Sequence, residues 1–289
     1  MVLKGRKPEL IEPGKPKFMI SGRSGIGKTY FATMFPNAYL IDTEGGATRK
    51  QFAKNLITNG GYYMGKEEGS QDFSTVIREI KALSTEKHDR KTLVIDSFSK
   101  LYLMAAAIAE AEYGNDFGKD KKEANKPTRQ LMLAIEKLDM AVIFICHGKD
   151  KWSHDGKKME RDGTTFDGYD KMEFDLDLWL EMQLIGKARQ FVVKKTRIES
   201  FPLYSTFPAT YEEFSRRYGV EIMEREAEPI VLASKEEVEE LKRLMLTVKM
   251  EDAALQKWYN KAGTTVIEEM SKDTVVKCIE FYNKKLKGE

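Results

Sequence analysis

One short run in this chain has residue types and a spacing that specify a chemistry on their own. It consists of Gly22, Arg23, Ser24, Gly25, Ile26, Gly27, Lys28 and Thr29, followed by Tyr30. The run fits G-x-x-x-x-G-K-[ST], a loop whose backbone N–H groups and lysine hold nucleotide phosphates while its hydroxyl binds Mg²⁺. Glycines permit the positive φ angles and the close approach that such a loop needs. The alternative is a plain strand-to-helix turn, but spacing and context favour a nucleoside triphosphate and Mg²⁺.

A carboxylate follows a second apolar run. Asp96 comes directly after residues 93–95, which are Leu, Val and Ile. In phosphate-loop enzymes a carboxylate at this point holds Mg²⁺, either directly or through water. One aspartate after a strand is common by chance, so the assignment depends on its pairing with the loop at 22–29. Thr29 and Asp96 are therefore the predicted metal-binding residues.

The general base must come from another part of the chain, because the residue after Asp96 is Ser97. AAA+ enzymes place their catalytic glutamate at that position. Glu44 follows a different apolar run, and its carboxylate would reach the γ-phosphate side of the site and polarise water there. The alternative makes Asp42 and Glu44 ordinary loop residues that cap a helix over 48–57.

Hydrophobic periodicity predicts the elements that position these residues. Short apolar runs at 18–20, 38–41, 93–95 and 141–146 indicate buried strands. Apolar residues at helical spacing predict helices near 73–83, 101–108 and 131–138. Strands that alternate with helices in this way indicate an α/β fold with a largely parallel sheet.

A different pattern begins near residue 175. Leucines and one methionine alternate with polar or aromatic residues up to 184, which predicts a half-exposed strand. Residues 185–188 can then turn the chain into a second strand over 189–195. This arrangement would add an antiparallel hairpin to the sheet.

Length and composition limit the number of domains. The chain has 289 residues, of which 41% are hydrophobic, so one large domain and a small one can both form a core. A capping-box pattern from Ser234 to Glu237 predicts the first helix of the small one. The predicted units are an N-terminal arm at 1–16, an ATPase core at 17–223, a linker at 224–233 and a small helical domain at 234–289.

Charge and cysteine content bound the partners and the compartment. The formal net charge of +2 neither demands nor excludes a nucleic-acid partner. Cys146 and Cys278 do not suggest a disulfide framework, and no apolar run is long enough to span a membrane. We therefore expect a cytoplasmic protein without a membrane partner.

Together, the loop at 22–29, Glu44, Asp96-Ser97 and a later strand with a polar end resemble the RecA/RadA recombinase core. The compact form is similar to phage-encoded RecA-like ATPases of the Sak single-strand-annealing group and to AAA-domain phage nucleotide-binding proteins. The resemblance covers residues 17–208 and implies a RecA-like P-loop NTPase core that binds and hydrolyses ATP with Mg²⁺. It is much less specific for the biological task.

The resemblance implies roles for three further residues. His147 ends the strand 141–146, where the family commonly has a glutamine that senses the γ-phosphate; the alternative is a polar residue at a strand end. Lys195 and Arg197 match a K-x-[KR] pattern that reaches into a neighbouring subunit's ATP site and neutralises transition-state charge there. The alternative for them is the solvated end of an edge strand. The predicted catalytic residues are Lys28, Glu44, His147, Lys195 and Arg197.

RecA-like folds bind single-stranded DNA through two segments, which here would be long loops at 114–127 and 148–171. Both contain cations suited to phosphates, and the second also contains aromatic residues suited to base stacking. Acidic residues cancel the formal charge of 148–171, so the prediction depends partly on the resemblance. The predicted DNA-binding residues are Lys119, Lys121, Lys122, Lys126, Lys149, Lys151, Trp152, Lys157, Lys158 and Arg161.

The leading interpretation is a phage-type RecA-like ATPase that binds single-stranded DNA and promotes strand annealing or recombination. It would form a homo-oligomer, a filament or a ring, with ATP at the subunit interfaces. In a phage infection its compartment would be the host cytoplasm, and a single-strand-binding protein is a candidate partner. The alternatives are a replication motor or helicase loader, and an ATP-gated DNA-binding module with negligible turnover.

Overall fold

The computed structural model describes residues 7, 13–114, 118–155, 158–248, 255–256, 258–259, 262, 264 and 266–287. Its strands are β1 (Lys17–Ser21), β2 (Ala38–Asp42), β3 (Tyr62–Met64), β4 (Thr92–Asp96), β5 (Ala141–Ile145), β6 (His147–Asp155), β7 (Lys158–Asp167), β8 (Leu178–Ile185), β9 (Ala188–Thr196) and β10 (Thr206–Pro208). Its helices are α1 (Lys28–Ala32), α2 (Lys50–Thr58), α3 (Phe73–Thr85), α4 (Phe98–Tyr113), α5 (Lys119–Lys137), α6 (Met172–Asp175), α7 (Tyr211–Tyr218), α8 (Val220–Glu224), α9 (Lys235–Thr247) and α10 (Lys272–Lys287).

Eight of these strands form one sheet in the order β10-β9-β8-β1-β5-β4-β2-β3. The pairs from β8 to β3 are parallel, whereas β8 with β9 and β9 with β10 are antiparallel. Gly186, at φ 63°, lies in the tight turn between β8 and β9. The predicted α/β architecture, a mostly parallel sheet with an added antiparallel hairpin, is confirmed.

Helices cover the sheet, so its central strands are buried along their whole length. Every residue of β4 and β5 is buried, which explains the apolar run at 93–95 within β4 and the wholly apolar sequence of β5. One core cluster joins the sheet to α3, α4 and α5 through residues such as Val76, Phe98 and Leu131. A second joins it to α1 and α7, where Phe31 packs edge-on against Phe191 with ring centroids 4.8 Å apart.

The register of the parallel strands brings four strand ends to one level. Asp42 pairs with Asp96, Asp96 pairs with Ile145, and Ile145 pairs with Ile20 at the end of β1. Parallel strands have their carboxyl ends at the same edge of the sheet. The segments that follow β1, β2, β4 and β5 therefore meet there.

The loop predicted over 114–127 is wrong. Residues 115–117 lie outside the described part, and α5 begins at Lys119 and contains Pro127. The first half of α5 already buries Ala124 in the core, so tertiary packing overrides a local sequence that is rich in charge. The lysines predicted to bind DNA in this segment are helical residues, namely Lys119, Lys121, Lys122 and Lys126.

The loop predicted over 148–171 is also wrong, because most of it forms a two-stranded antiparallel sheet that we call the ribbon (β6 and β7). His147 pairs with Asp167 at its base, and Asp155 pairs with Lys158 at its tip. A register shift interrupts the pairing between Asp150 and Trp152. Lys157, a predicted DNA contact, lies outside the described residues.

The ribbon also corrects the prediction for β8. Period-two alternation predicted a half-exposed strand, but Trp179 and Glu181 are buried on the face expected to be exposed. Phe166 of the ribbon packs edge-on against Trp179 at 5.3 Å, and Thr164 donates a hydrogen bond to Glu181 at 2.5 Å. The ribbon therefore covers the second face of β8.

The C-terminal part contains helices α9 and α10 around a small core of their own that includes Leu241, Val275 and Tyr282. The capping box predicted at Ser234 is present, with Glu237 as its second member. Half of the helix predicted near 253–262 lies outside the described residues, and 255–256, 258–259 and 262 are helical. The domain boundaries stay a prediction. No helix in the described ranges is long and apolar enough to cross a membrane.

Candidate nucleotide-binding site

The phosphate-binding loop joins the end of β1 to the start of α1, as predicted. Gly22, Gly25 and Gly27 have φ angles of 149°, 75° and 113°, which favour glycine. A Cβ on Gly22 would also lie 2.8 Å from the backbone oxygen of Met182 in β8. The backbone of the loop therefore requires glycine both for its torsion angles and for its packing on the sheet.

Lys28 is buried and spans the loop. Its Nζ donates to the backbone oxygens of Gly22 at 2.7 Å and Arg23 at 3.0 Å. Burial lowers the pKa of Lys28, while the carboxylates of Asp96 and Glu44 act in the opposite direction. The ammonium thus lies between the loop backbone and two acidic side chains.

Thr29 and Asp96 bring a hydroxyl and a carboxylate together beside the loop. The Oγ1 of Thr29 donates to Oδ2 of Asp96 at 2.5 Å. Burial raises the pKa of Asp96 to about 6, against the hydrogen bond from Thr29. Both are hard oxygen donors, the ligand type that Mg²⁺ prefers, so the residues fit the predicted metal.

Asp42 shapes the segment that carries Glu44. Its carboxylate accepts hydrogen bonds from the backbone N–H groups of Glu44 at 3.0 Å, Gly45 at 2.7 Å and Ala47 at 2.8 Å. The following helix α2 begins at Lys50 and has no side-chain cap at its N-terminus. The alternative in which Asp42 and Glu44 cap that helix is therefore wrong, and Asp42 closes a turn instead.

Thr43 ties this turn to the end of β4. Its Oγ1 accepts from the N–H of Ser97 at 2.9 Å and donates to the backbone oxygen of Ser97 at 3.0 Å. The N–H of Thr43 also donates to the backbone oxygen of Asp96 at 2.7 Å. The backbones on either side of Glu44 and Asp96 are consequently held in one arrangement.

Glu44 receives two side-chain hydrogen bonds on a single oxygen. Ser97 Oγ lies 2.7 Å from its Oε1, and Nε2 of His147 lies 2.6 Å from the same atom. Burial raises the pKa of Glu44, but the hydrogen bonds from Ser97 and His147 outweigh it and the net shift is downward. The carboxylate is therefore kept ionised, as a general base must be.

His147 connects this group to the ribbon, because it is the first residue of β6. Its N–H donates to Oγ of Ser99 at 2.9 Å. The next residue, Gly148, donates its N–H to the backbone oxygen of Gly22 at 3.1 Å. A Cβ on Gly148 would lie 3.1 Å from the Cα of Gly22, so the ribbon begins in close backbone contact with the phosphate-binding loop.

Lys195 and Arg197 lie at the opposite end of the sheet from this loop. Leu178 pairs with Phe18 at the start of β1 and with Thr196 at the end of β9. Lys195 donates through Nζ to the backbone oxygen of Leu176. Arg197 lies 3.9 Å from the carboxylate of Asp177 and donates to a backbone oxygen in α6. Neither cation approaches the loop of its own chain.

The predicted DNA-binding residues fall on two surfaces. The four predicted lysines in the first half of α5 are exposed, and Lys126 pairs with Glu123. On the ribbon, Trp152 is 55% exposed and Lys149 pairs with Asp167 at 3.1 Å. Lys151 is exposed on β6, and Lys158 and Arg161 belong to β7.

Sequence reasoning missed three residues of the site. The first is Ser97, whose hydrogen bond to Glu44 was not predicted, although the position of Ser97 directly after Asp96 was a signal. Thr43 gave no signal, since its contact depends on strand register. Arg189 of β9 donates through Nε to the backbone oxygen of Ile26 at 2.7 Å, which only the register of the hairpin could reveal.

Comparison with known proteins identifies the family of the chain. A family model described as AAA domain matches residues 14–201, and no curated protein matches the chain. One similar solved structure is described as the crystal structure of the RadB recombinase, with 16% identity, 67% of this chain and 86% of that chain covered, and a TM-score of 0.42. A likeness at that level carries no argument about function. The family match spans well over half of the chain and includes the phosphate-binding loop, Glu44, Asp96 and His147, and the chain belongs to the AAA domain family of P-loop ATPases.

Proposed function

We propose that the protein is a single-stranded-DNA-binding ATPase that promotes strand annealing or recombination, of the kind that phages encode. The observation that carries the proposal is the continuity between the site and the ribbon. Glu44 is hydrogen-bonded to His147, and Gly148 of the same strand is hydrogen-bonded to Gly22 of the loop. A ligand on the ribbon would therefore act on the general base and on the phosphate-binding loop.

In this proposal the residues of the loop bind the phosphates of ATP. The N–H groups of the loop and the ammonium of Lys28 would contact the β- and γ-phosphates. Thr29 and Asp96 would hold Mg²⁺, which neutralises phosphate charge when bound. The end of α1 that follows the loop is its N-terminus, where the helix dipole favours an anion.

Glu44 is the proposed general base. Its Oε1 is engaged by Ser97 and His147, and Oε2 has no hydrogen-bond partner among the described residues. An ionised oxygen with an open lone pair can orient and polarise a water molecule for in-line attack. His147 would sense the γ-phosphate from its position beside Glu44.

Single-stranded DNA is the proposed partner of the ribbon and of α5. Exposed cations on both surfaces suit a phosphate backbone, and the exposed indole of Trp152 suits base stacking. Arg129 lies one helical turn beyond Lys126 and extends the exposed basic face of α5. Oppositely charged neighbours on both surfaces weaken this field, so the expected affinity is moderate and depends on salt.

Lys195 and Arg197 support a proposed oligomer. They lie far from the loop of their own chain, so any action on ATP would require a neighbouring subunit. Each cation would then neutralise transition-state charge across an interface. A filament or a ring in the cytoplasm, assisted by a single-strand-binding protein, completes the proposal.

The test is ATP turnover with Mg²⁺, measured with and without single-stranded DNA, together with a DNA gel shift. We expect DNA binding and a faster rate with DNA. Tight ATP binding with negligible turnover would favour an ATP-gated binding module. Unwinding of a forked duplex would favour a replication motor. A rate that DNA leaves unchanged, with no gel shift, would contradict the proposal.

Two variants test the site itself. Lys28→Ala should abolish nucleotide binding, because the loop loses its only ammonium. Glu44→Gln should bind ATP normally and lose about 100-fold or more of turnover, as expected for a missing general base. Equilibrium binding of a fluorescent ATP analogue and steady-state turnover separate these outcomes. Normal hydrolysis by Glu44→Gln would show that the base is another residue.

A further inference from the structure

We propose that Ser97 is a positioning residue for the general base. The inference rests on the proposed function, because it takes Glu44 as that base. Ser97 follows the metal-binding Asp96, its side chain is fully buried, and its Oγ lies 2.7 Å from Oε1 of Glu44. In AAA+ enzymes a glutamate at this position is itself the catalytic residue. Here Ser97 would instead orient the general base Glu44 through a hydrogen bond.

The geometry leaves one oxygen of Glu44 for water. Ser97 and His147 both reach Oε1, at 2.7 Å and 2.6 Å, and neither contacts Oε2. Two hydrogen bonds to one carboxylate oxygen restrict the rotation of the carboxylate group. Oε2 is then held in one direction, which is what orientation of an attacking water requires.

The backbone of Ser97 is itself fixed to the segment that carries Glu44. Thr43 accepts from the N–H of Ser97 and donates to its backbone oxygen, at 2.9 Å and 3.0 Å. The N–H of Thr43 also donates to the backbone oxygen of Asp96 at 2.7 Å, so the segments that carry the donor and the acceptor are hydrogen-bonded to each other. This pairing keeps the backbones of Ser97 and Glu44 within reach of the side-chain hydrogen bond.

Ser97 also caps a helix, and this role is an alternative explanation for a serine at this position. It is the N-cap of α4, and its Oγ accepts from the N–H of Lys100 at 3.2 Å. One hydroxyl has one proton and two lone pairs, so it can accept from Lys100 and donate to Glu44 at the same time. If capping were its whole task, loss of the hydroxyl would lower stability and leave catalysis unchanged.

The experiment is the pH dependence of kcat and KM for three variants in the full chain. Ser97→Ala removes the hydroxyl, Ser97→Cys keeps the volume with a weak donor, and Ser97→Thr keeps the donor. The titratable groups that face Glu44 are His147 from β6, Lys28 from α1 and Asp96 from β4, and all are retained. Changes in the pH profile of kcat can therefore be assigned to the loss of the Ser97 hydroxyl.

We expect Ser97→Ala and Ser97→Cys to lower kcat by about 10-fold to 100-fold, as outer-shell partners do, with KM for ATP within about 3-fold. Loss of the hydrogen bond from Ser97 removes one of the interactions that lower the pKa of Glu44, so this pKa and the acid limb of kcat should move to higher pH. Ser97→Thr should restore both. If Ser97→Ala does not fold, Ser97→Cys decides the question alone.

A matched control separates positioning from capping. Thr210 is the N-cap of α7 and accepts from the N–H of Glu213 at 3.2 Å, away from the site. Thr210→Ala should lower the Tm without changing kcat or the acid limb. Wild-type kcat and pH profiles for Ser97→Ala and Ser97→Cys, with Glu44→Gln inactive, would overturn this inference alone. Normal turnover by Glu44→Gln would instead overturn the proposed function.

Discussion

The ends of β2 and β4 place two buried aspartates side by side, yet their carboxylates differ in the number of hydrogen bonds that they accept. Asp42 and Asp96 are register partners. Asp42 accepts three backbone N–H groups and lies 3.3 Å from the hydroxyl of Tyr63. Among the described residues, only Thr29 donates to the carboxylate of Asp96. An aspartate at the end of a parallel strand is therefore not a metal ligand by position alone. Backbone N–H donors occupy the carboxylate of Asp42, whereas the carboxylate of Asp96 has few donors and is open to a cation.

The comparison predicts the largest effect for Asp96→Asn on turnover. The amide keeps the volume and an acceptor for Thr29 but lacks the charge that a divalent cation requires. We expect ATP turnover in Mg²⁺ to fall by about 100-fold or more. Steady-state turnover measures the loss. A rate within about 3-fold of the wild type would mean that Asp96 is as structural as Asp42.

Asp42→Ala should have the largest effect on stability. It leaves three backbone N–H groups of the turn without their acceptor, among them the buried N–H of Ala47, and each loss of a buried partner costs about 1–3 kcal/mol. Urea unfolding at 25 °C should show a loss of about 3 kcal/mol or more, with a smaller loss for Asp42→Asn, which keeps one acceptor. A loss below about 1 kcal/mol would contradict the assignment of Asp42 to the turn.

Asp96→Asn should stabilise the metal-free protein at alkaline pH. The pKa of Asp96 is about 6 in the folded chain, above its ordinary value of 3.8, so the folded state binds more protons between these values. The contribution of Asp96 to stability therefore falls as pH rises through this window. At about pH 8 the amide should raise the free energy of unfolding by up to about 3 kcal/mol.

The same measurement at acid pH is the control. At about pH 4 the carboxyl of folded Asp96 is protonated, so the advantage of the amide should largely disappear. Urea unfolding in EDTA at both pH values gives the comparison. A destabilised Asp96→Asn at alkaline pH would show that the carboxylate has structural donors of its own.

The smallest effect is expected for Tyr63→Phe. The hydroxyl is 3.3 Å from Oδ2 of Asp42, and the residue is 37% exposed, so water can replace the lost donor. Urea unfolding should show a loss of less than about 1 kcal/mol and unchanged turnover. A larger loss would mean that the side chain, rather than the backbone, holds Asp42.

The sequence allowed prediction of the strand ends and hence of much of the site. Apolar runs located β1, β2, β4 and β5, and parallel pairing then required Thr29, Glu44 and Asp96 to converge. Local sequence patterns gave wrong predictions where tertiary packing determines the secondary structure. Helix α5 begins in a charged stretch with Pro127, which local periodicity assigns to a loop. The partner of Ser97 depends on a register between distant strands, which no single segment encodes.

The ribbon has a consequence for the order in which the molecule gains structure. A sheet of two strands has marginal stability in water by itself. Its described anchors include Phe166 on Trp179, Thr164 on Glu181 and Gly148 on Gly22. Those partners belong to β8 and to the loop after β1, so we expect the ribbon to become ordered only after contacts of long sequence separation have formed. Amide exchange at the ribbon base is therefore a direct gauge of order in the loop that receives the phosphates.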